Sequence, residues 1–169
     1  MRHSVLIALT ALVLSAPVMA EKADSEKPIE LSADRGSLDQ KKGVTVWEGN
    51  VVVVQGTLNL KAQRVTVTRD AQGNQQLQAQ GSPVTFRQKV DGSSEYVEGS
   101  ASNVTYNTAA NLATLTGNAR VKRGQDSVSG AVIVYNTATE TYQASGGTAA
   151  SGNSGRVTVI LQPKTQGTP

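Results

Sequence analysis

The chain has 169 residues, with 16 Lys and Arg against 13 Asp and Glu, no Cys, and a lone His at position 3. Disulfides are excluded, and the usual neutral-pH acid/base and commonest metal ligand is confined to the N-terminus. Aromatic residues make up only 4 % of the chain, so any core is thin and built from Val, Ala and Leu.

Residues 1–20 read as a secretory signal peptide. Met1-Arg2-His3 gives a positive start, Val5 to Leu14 is apolar, and Pro17-Val18-Met19-Ala20 offers small-residue cleavage after Ala20. The apolar run is far short of the ~20 residues a membrane span needs. Loss of Arg2 leaves 15 basic against 13 acidic residues, spread along the chain. Residues 21–27 are charged and small, a flexible N-terminus. Residues 28–162 form one all-β domain, and 163–169 a disordered polar tail.

The strands begin after Pro28, where Ile29 and Leu31 alternate with polar residues, and a turn at Asp34-Arg35-Gly36 leads to a short strand around Leu38. Lys41-Lys42-Gly43 turns the chain into the stretch 44–67. Alternation there puts Val44, Val46, Leu58, Leu60, Val65 and Val67 on one buried face. Gly49-Asn50 and Gln55-Gly56 read as tight reversals, making four short strands of that stretch. All four of Val51 to Val54 are apolar, so alternation leaves their inward face open. Beyond the polar loop 69–74, Leu77 belongs to one strand and, after Gly81-Ser82-Pro83, Val84 and Phe86 to the next. Val104 and Tyr106, then Leu115, then Val121, then Ile133 and Tyr135 continue the inward set, separated by turns at 107–110, Gly117-Asn118 and 124–126. Gly146 to Gly155 is a flexible connection, and Arg156 to Leu161 a last strand. No stretch after residue 20 has apolar 3.6-residue periodicity. The expectation is all-β, with about sixteen short antiparallel strands.

A repeat underlies the pattern. Ala33, Ala62, Ala101 and Gly130 each precede core-type residues three and five positions on, and Gly49, Gly81, Gly117 and Gly146 close the units. A period near thirty with two or three strands per unit signals stacked layers along one axis. Small residues mark where the backbone bends or two faces approach.

Catalysis finds little to work with. Asp34, Glu48, Asp126 and Glu140 fall in turns or on polar strand faces at no telling spacing, and no Ser or Thr is paired with a Lys base. No enzyme, cofactor or metal is expected. Lys41-Lys42 and Arg120-Val121-Lys122-Arg123 read as solvated sheet face, and with few aromatics for bases to stack on, no nucleic-acid partner is expected. Trp47, out of phase with Val44 and Val46, serves equally as a ring covering a neighbouring strand or as the rim of a groove. The terminal strands, with Ile29 and Leu31 at one end and Val157, Val159 and Leu161 at the other, are candidate partner edges. The run 157–161 lacks the internal charge or Pro that usually blocks an edge.

Certain runs carry a resemblance: Pro28-Ile29-Glu30-Leu31-Ser32-Ala33-Asp34, Ser37-Leu38-Asp39 and Glu48-Gly49-Asn50-Val51-Val52-Val53-Val54-Gln55-Gly56, then Val97 to Ala101, Leu115 to Ala119 and Arg156 to Thr158. Together they resemble the OstA-like family over about residues 28–163. The resemblance implies an open-ended, stacked and twisted β-jellyroll in the periplasm. It also implies a lipopolysaccharide cargo with its lipid A acyl chains in the apolar interior. Implied partners are LptC at the inner membrane, LptD at the outer membrane and further copies of the chain end to end. The Gly/Ser run 146–155 departs from the family pattern by its length. An apolar conduit makes physical sense, since one twelve-carbon acyl chain in water costs on the order of 10 kcal/mol at ~0.8 kcal/mol per CH₂. A different class of protein, a secreted self-associating structural or adhesive β-solenoid without lipid, fits the same strands.

Overall fold

The structure is a computed structural model and describes residues 24, 27–90, 92–136, 138–139, 141–147 and 155–163. The expected signal peptide, Glu140, the centre of the Gly/Ser run and all of the tail beyond residue 163 lie outside the described residues.

Among the described residues, ten strands form one antiparallel sheet: β1 (Ile29–Ser32), β2 (Arg35–Asp39), β3 (Val44–Gln55), β4 (Leu58–Arg69), β5 (Gln75–Lys89), β6 (Tyr96–Asn107), β7 (Leu112–Arg123), β8 (Asp126–Asn136), β9 (Thr141–Ser145) and β10 (Thr158–Ile160). Their order is β1-β3-β4-β5-β6-β7-β8-β10, with β2 also on β3 and β9 also on β8. Neighbours in sequence are neighbours in space, as short hairpin turns require.

Every long strand is interrupted near its middle. The register shifts between Glu48 and Val51, Lys61 and Arg64, Gln80 and Val84, Ser100 and Asn103, and Thr116 and Ala119. β1 and β2 lie on β3 on either side of the same line, as β10 and β9 lie on β8. The line of bulges folds the sheet into two arms of eight segments each. The first arm holds β1, the Val51 half of β3 and their neighbours through β10; the second holds β2, the Val44 half of β3 and their neighbours through β9. Counted as segments, the strands match the roughly sixteen read from the sequence.

Three expected reversals are bends inside strands instead. The stretch 44–67 is two 12-residue strands, not four, and β5 runs straight through Gly81-Ser82-Pro83. The Gly-Asn pairs explain why. Gly49 and Asn50 have φ of 79° and 46°, and Gly117 and Asn118 have 83° and 50°. Two successive left-handed residues suit Gly and Asn, and one extra residue opposite the partner strand makes a bulge that bends the strand without reversing it. Asp34 fastens the first bend, donating its N–H to the Gly49 carbonyl (2.9 Å) and accepting from the Asn50 amide (2.9 Å). Gln55-Gly56 is a true turn, with Gly56 at φ 57°.

The core lies between the arms. Val51, Val65, Val84 and Ile133 are all at 0 % exposure. Among the described residues, it is the other arm that covers them. First-arm residues Val53, Leu60, Ala101, Ala119 and Val121 share one cluster with second-arm residues Ala79, Val104 and Leu115. Part of the expected flexible N-terminus is tied down: Asp24 accepts from the Thr57 backbone N–H (3.0 Å) and from the Thr57 hydroxyl, which holds its carboxyl below the usual carboxylate range. Gln55 donates to the Lys27 carbonyl at 3.1 Å.

Candidate functional site

The cross-strand register assembles the inner face into rows. On the first arm one row runs Leu31, Val53, Leu60, Phe86, Gly99, Val121, Val128, Val159. On the second arm the row nearest the fold line runs Gly36, Trp47, Val65, Ala79, Val104, Leu115, Ile133, Ala144, and the next runs Leu38, Thr45, Val67, Leu77, Tyr106, Ala113, Tyr135, Tyr142. None of these positions is charged. Each row crosses eight segments, a length of about 34 Å at the usual strand spacing.

Two rings fill gaps left by glycines. A Cβ on Gly36 would collide with the Trp47 ring, and one on Gly99 with the Phe86 ring. Each aromatic therefore lies over the glycine beside it in its row, which restores the apolar surface the glycine lacks.

Burial falls from the fold line outward. Val65 and Leu115 are sealed, whereas Val67, Leu77, Tyr106 and Tyr135 one row further out are half-buried. Tyr135 and Tyr142 stack with centroids 4.4 Å apart. Beyond them the inward phase turns polar. Arg69 follows Val65 and Val67 at the tip of the second arm, and Arg123 pairs across from Val97 at the tip of the first. Arg123 is held by Glu95 at 3.0 Å. The cross-section is a wedge with an apolar apex, a tyrosine-bearing flank and polar lips, with Arg69 on the second arm and the Arg123–Glu95 pair, opposite Asp126, on the first.

Of the residues expected to line the interior, Leu58, Leu60, Val65, Val67, Leu77, Val84, Phe86, Val104, Tyr106, Leu115, Val121, Ile133 and Tyr135 take the inward phase. Val44 and Val46 do not. They pair with Thr68 and Thr66 on the outer face, while Thr45 and Trp47 point inward. The register that seats the Trp47 ring beside Val65 packs that ring against the core and over Gly36, and a valine is accepted on a half-exposed strand beside threonines. Trp47 is thus a ring of the core. The inward face of the 51–54 run is that of Val51 and Val53. The small inward residues Ala79, Ala101 and Ala119 are not among those expected to line the interior, although Ala101 stands in the repeat and Ala79 and Ala119 alternate with Leu77 and Val121.

At the partner edges, Leu31 and Val159 end the first-arm row, Ile29 is 61 % exposed, and Val157 and Leu161 flank β10 in the open. Each terminal segment pairs on one side: β1 and β2 with β3, β9 and β10 with β8.

A folded-over, open-ended β-sheet with an uncharged interior running from edge to edge defines a β-jellyroll with an apolar through-groove. The comparisons agree with that class. A family described as "LptA/(LptD N-terminal domain) LPS transport protein" matches residues 30–141. The lipopolysaccharide export system protein LptA of Haemophilus influenzae is 35 % identical over 164 residues, spanning 95 % of this chain and 92 % of that protein. LptA of Escherichia coli K12 is 35 % identical over 162 residues, spanning 95 % and 84 %. The crystal structure of LptH, the LptA-homologous periplasmic component of the lipopolysaccharide transport device of Pseudomonas aeruginosa, superposes with a TM-score of 0.74 at 30 % identity, covering 83 % of this chain and 99 % of that one. The chain belongs to the LptA/LptD N-terminal-domain family of lipopolysaccharide transport proteins.

Proposed function

We propose that this chain carries lipopolysaccharide across the periplasm as part of a bridge from the inner to the outer membrane. Acyl chains lie in the wedge between the arms, and the phosphorylated headgroup stays at the lips. The observation that carries this reading is the set of uncharged rows reaching both edges of the sheet. A closed pocket would hold its ligand, whereas an open-ended apolar groove offers a similar environment along its length and lets the load move on. Arg69 at the lip of the second arm suits an anionic headgroup. The relatives named as lipopolysaccharide export proteins support the cargo, and LptH, described as a periplasmic component, supports the compartment.

The finer parts of the reading are these. Residues 1–20 direct export and are removed after Ala20, and residues 28–162 act as one domain. The β1/β2 edge and the β9/β10 edge meet other jellyrolls by strand addition, namely further copies of the chain, LptC at one end of the bridge and the amino-terminal domain of LptD at the other. Nothing in this role requires the chain to catalyse a reaction.

Photo-crosslinking amino acids at Leu77, Tyr106 and Phe86 in living cells are expected to capture lipopolysaccharide, while those at Thr66 and Thr105, on the outer face, are not. Equal labelling of both faces sinks the groove assignment. Depletion of the protein is expected to arrest lipopolysaccharide inside the envelope; continued delivery to the surface sinks the bridge.

A further inference from the structure

The outer faces of the two arms differ in chemistry. Across β4 to β7 of the second arm, the row beside the fold reads Arg64, Gln80, Asn103, Thr116, and Arg64 is paired with Glu48. The equivalent row of the first arm reads Lys61, Thr85, Ser100, Arg120, each opposite the next in register. The adjoining row reads Asn59, Arg87, Glu98, Lys122. Two rows of four thus hold four cations and one carboxylate. They line a shallow groove of about 690 Å³ on the outside of the molecule, separated from the apolar wedge by the thickness of the sheet.

The single carboxylate is engaged inside the groove. Glu98 binds Arg87 Nε at 3.3 Å, and the Arg87 guanidinium carbon sits 3.8 Å above the Tyr96 ring. Held by its edge and one face, Arg87 keeps its terminal nitrogens for a planar, two-pronged contact with an oxyanion. Lys61, Arg120 and Lys122 form no ion pair among the described residues. A solvated face ordinarily intersperses both signs of charge; this one gathers uncompensated cations around two hydroxyls.

We infer that the outer groove of the first arm is a second binding site, for a phosphorylated saccharide lying across β4 to β7. The spacing fits such a ligand. Lys61 and Arg120 are three strands apart, about 14 Å, with Thr85 and Ser100 between them. That row presents a cation for an anionic group at each end and hydroxyls for the sugar in the middle. Arg87 and Lys122 in the adjoining row supply further contacts to phosphate oxygens. In the context of the transport reading, on which the natural source of this ligand rests, the saccharide is the sugar part of a lipopolysaccharide whose acyl chains stay in the wedge, reaching round the tip of the first arm beside Asn59 and Lys122.

The test uses ¹⁵N-labelled protein purified from cells and the phosphorylated oligosaccharide left by complete deacylation of lipopolysaccharide. Saturable amide shifts centred on Thr85, Ser100 and Arg120 are expected, and Lys61→Gln with Arg120→Gln should weaken binding at least tenfold and flatten its salt dependence. Thr85→Val with Ser100→Ala keeps every charge; it should weaken the saccharide several-fold and leave inorganic phosphate unaffected. Equal affinity for inorganic phosphate and saccharide overturns the site as a saccharide site. So do shifts confined to the lips at Arg69 and Arg123, or binding of phosphatidylglycerol vesicles through these cations with no saccharide effect. Crosslinking of whole lipid at Leu77 should persist in both variants, so failure of the outer site and failure of the inner groove register in different measurements.

Discussion

At the scale of single residues, the interior is built by matching a large ring to an absent side chain. Phe86 covers Gly99, and Trp47 covers Gly36. A fully buried Phe→Ala costs roughly 3–5 kcal/mol, and Phe86 is only half-buried, so Phe86→Ala is expected to cost about 2 kcal/mol. Gly99→Val forces two side chains into one place and is expected to cost about 1–3 kcal/mol. The phase of β3 gives a sharper contrast. Val65→Thr buries a hydroxyl at a site of 0 % exposure and should cost about 2 kcal/mol. Val46→Thr, on the outer face, should stay within about 0.5 kcal/mol. Urea midpoints at unchanged slope measure all four; a Val46→Thr loss as large as that of Val65→Thr would refute the assigned register. These residues also mark what the sequence discloses. Leu58, Leu60, Val65 and Val67 could be read because polar residues separate them on the other phase. Val44 and Val46 misled because apolar identity alone carries no direction when Trp47 lies between the same strands. Val51 to Val54 could not be read at all, since only register against Leu60 and Ala62 distinguishes their faces.

At the scale of elements, the fold depends on where strands bend. A Gly-Asn pair between alternating segments signals either a hairpin or a bulge, and the difference lies in whether the following segment pairs with the preceding one or with a third strand. That is a long-range fact, which explains why the strand content was legible while the reversals at Gly49, Gly81 and Gly117 were not. The bend also sets a cost on substitution. At Gly117, φ is 83° and a Cβ would lie 2.8 Å from Ser102 Oγ. Gly117→Val is therefore expected to lose about 2–3 kcal/mol from combined strain and contact, again as a lower urea midpoint; a change under about 0.5 kcal/mol would show that the bend is not enforced there. The β4–β5 loop is a separate, pH-sensitive element. Asp70 accepts from the Asn74 side-chain amide (2.9 Å) and from the backbone N–H groups of Asn74 (2.8 Å) and Gln72 (2.9 Å). The Asn74 side chain is the leading reason its carboxyl is held below the ordinary 3.8. A depressed carboxylate stabilises the folded loop above its unfolded pKa, and that contribution fades as pH falls through the lower folded value. The amide signals of Gln72 and Asn74 should titrate together with a midpoint under 3.8, and Asp70→Asn should abolish the titration. A midpoint at or above 3.8 would contradict the bonding described.

At the scale of the whole molecule, the same rows that form the wedge terminate at two unlike edges. One end presents β1 and β2 with Ile29 and Leu38 exposed, the other β9 and β10 with Val159, Ile160 and Leu161 exposed. Sheets left with open edges tend to gain strands from another chain. In the proposed bridge, unlike ends meet head-to-tail, and where the rotation between copies does not close a ring the assembly grows in length with concentration. Two copies joined this way would continue each row, with Leu31 and Val53 of one molecule following Val128 and Val159 of the next, and the apolar groove would stay unbroken. The alternative, like edge on like edge, would stop at dimers. The two geometries predict different responses to damage at one end. Replacing Val159 with Lys and Ile160 with Pro spoils the β10 edge while leaving β8 paired to β7 and β9. In head-to-tail growth the variant alone sediments as a monomer, yet its intact β1/β2 edge still caps wild-type chains and shortens them in proportion to the amount added. If β1/β2 edges meet each other, the variant alone still forms dimers, which sedimentation velocity would show; if β9/β10 edges meet each other, the variant is a monomer that fails to shorten wild-type chains; either result would overturn the proposed polarity of the bridge.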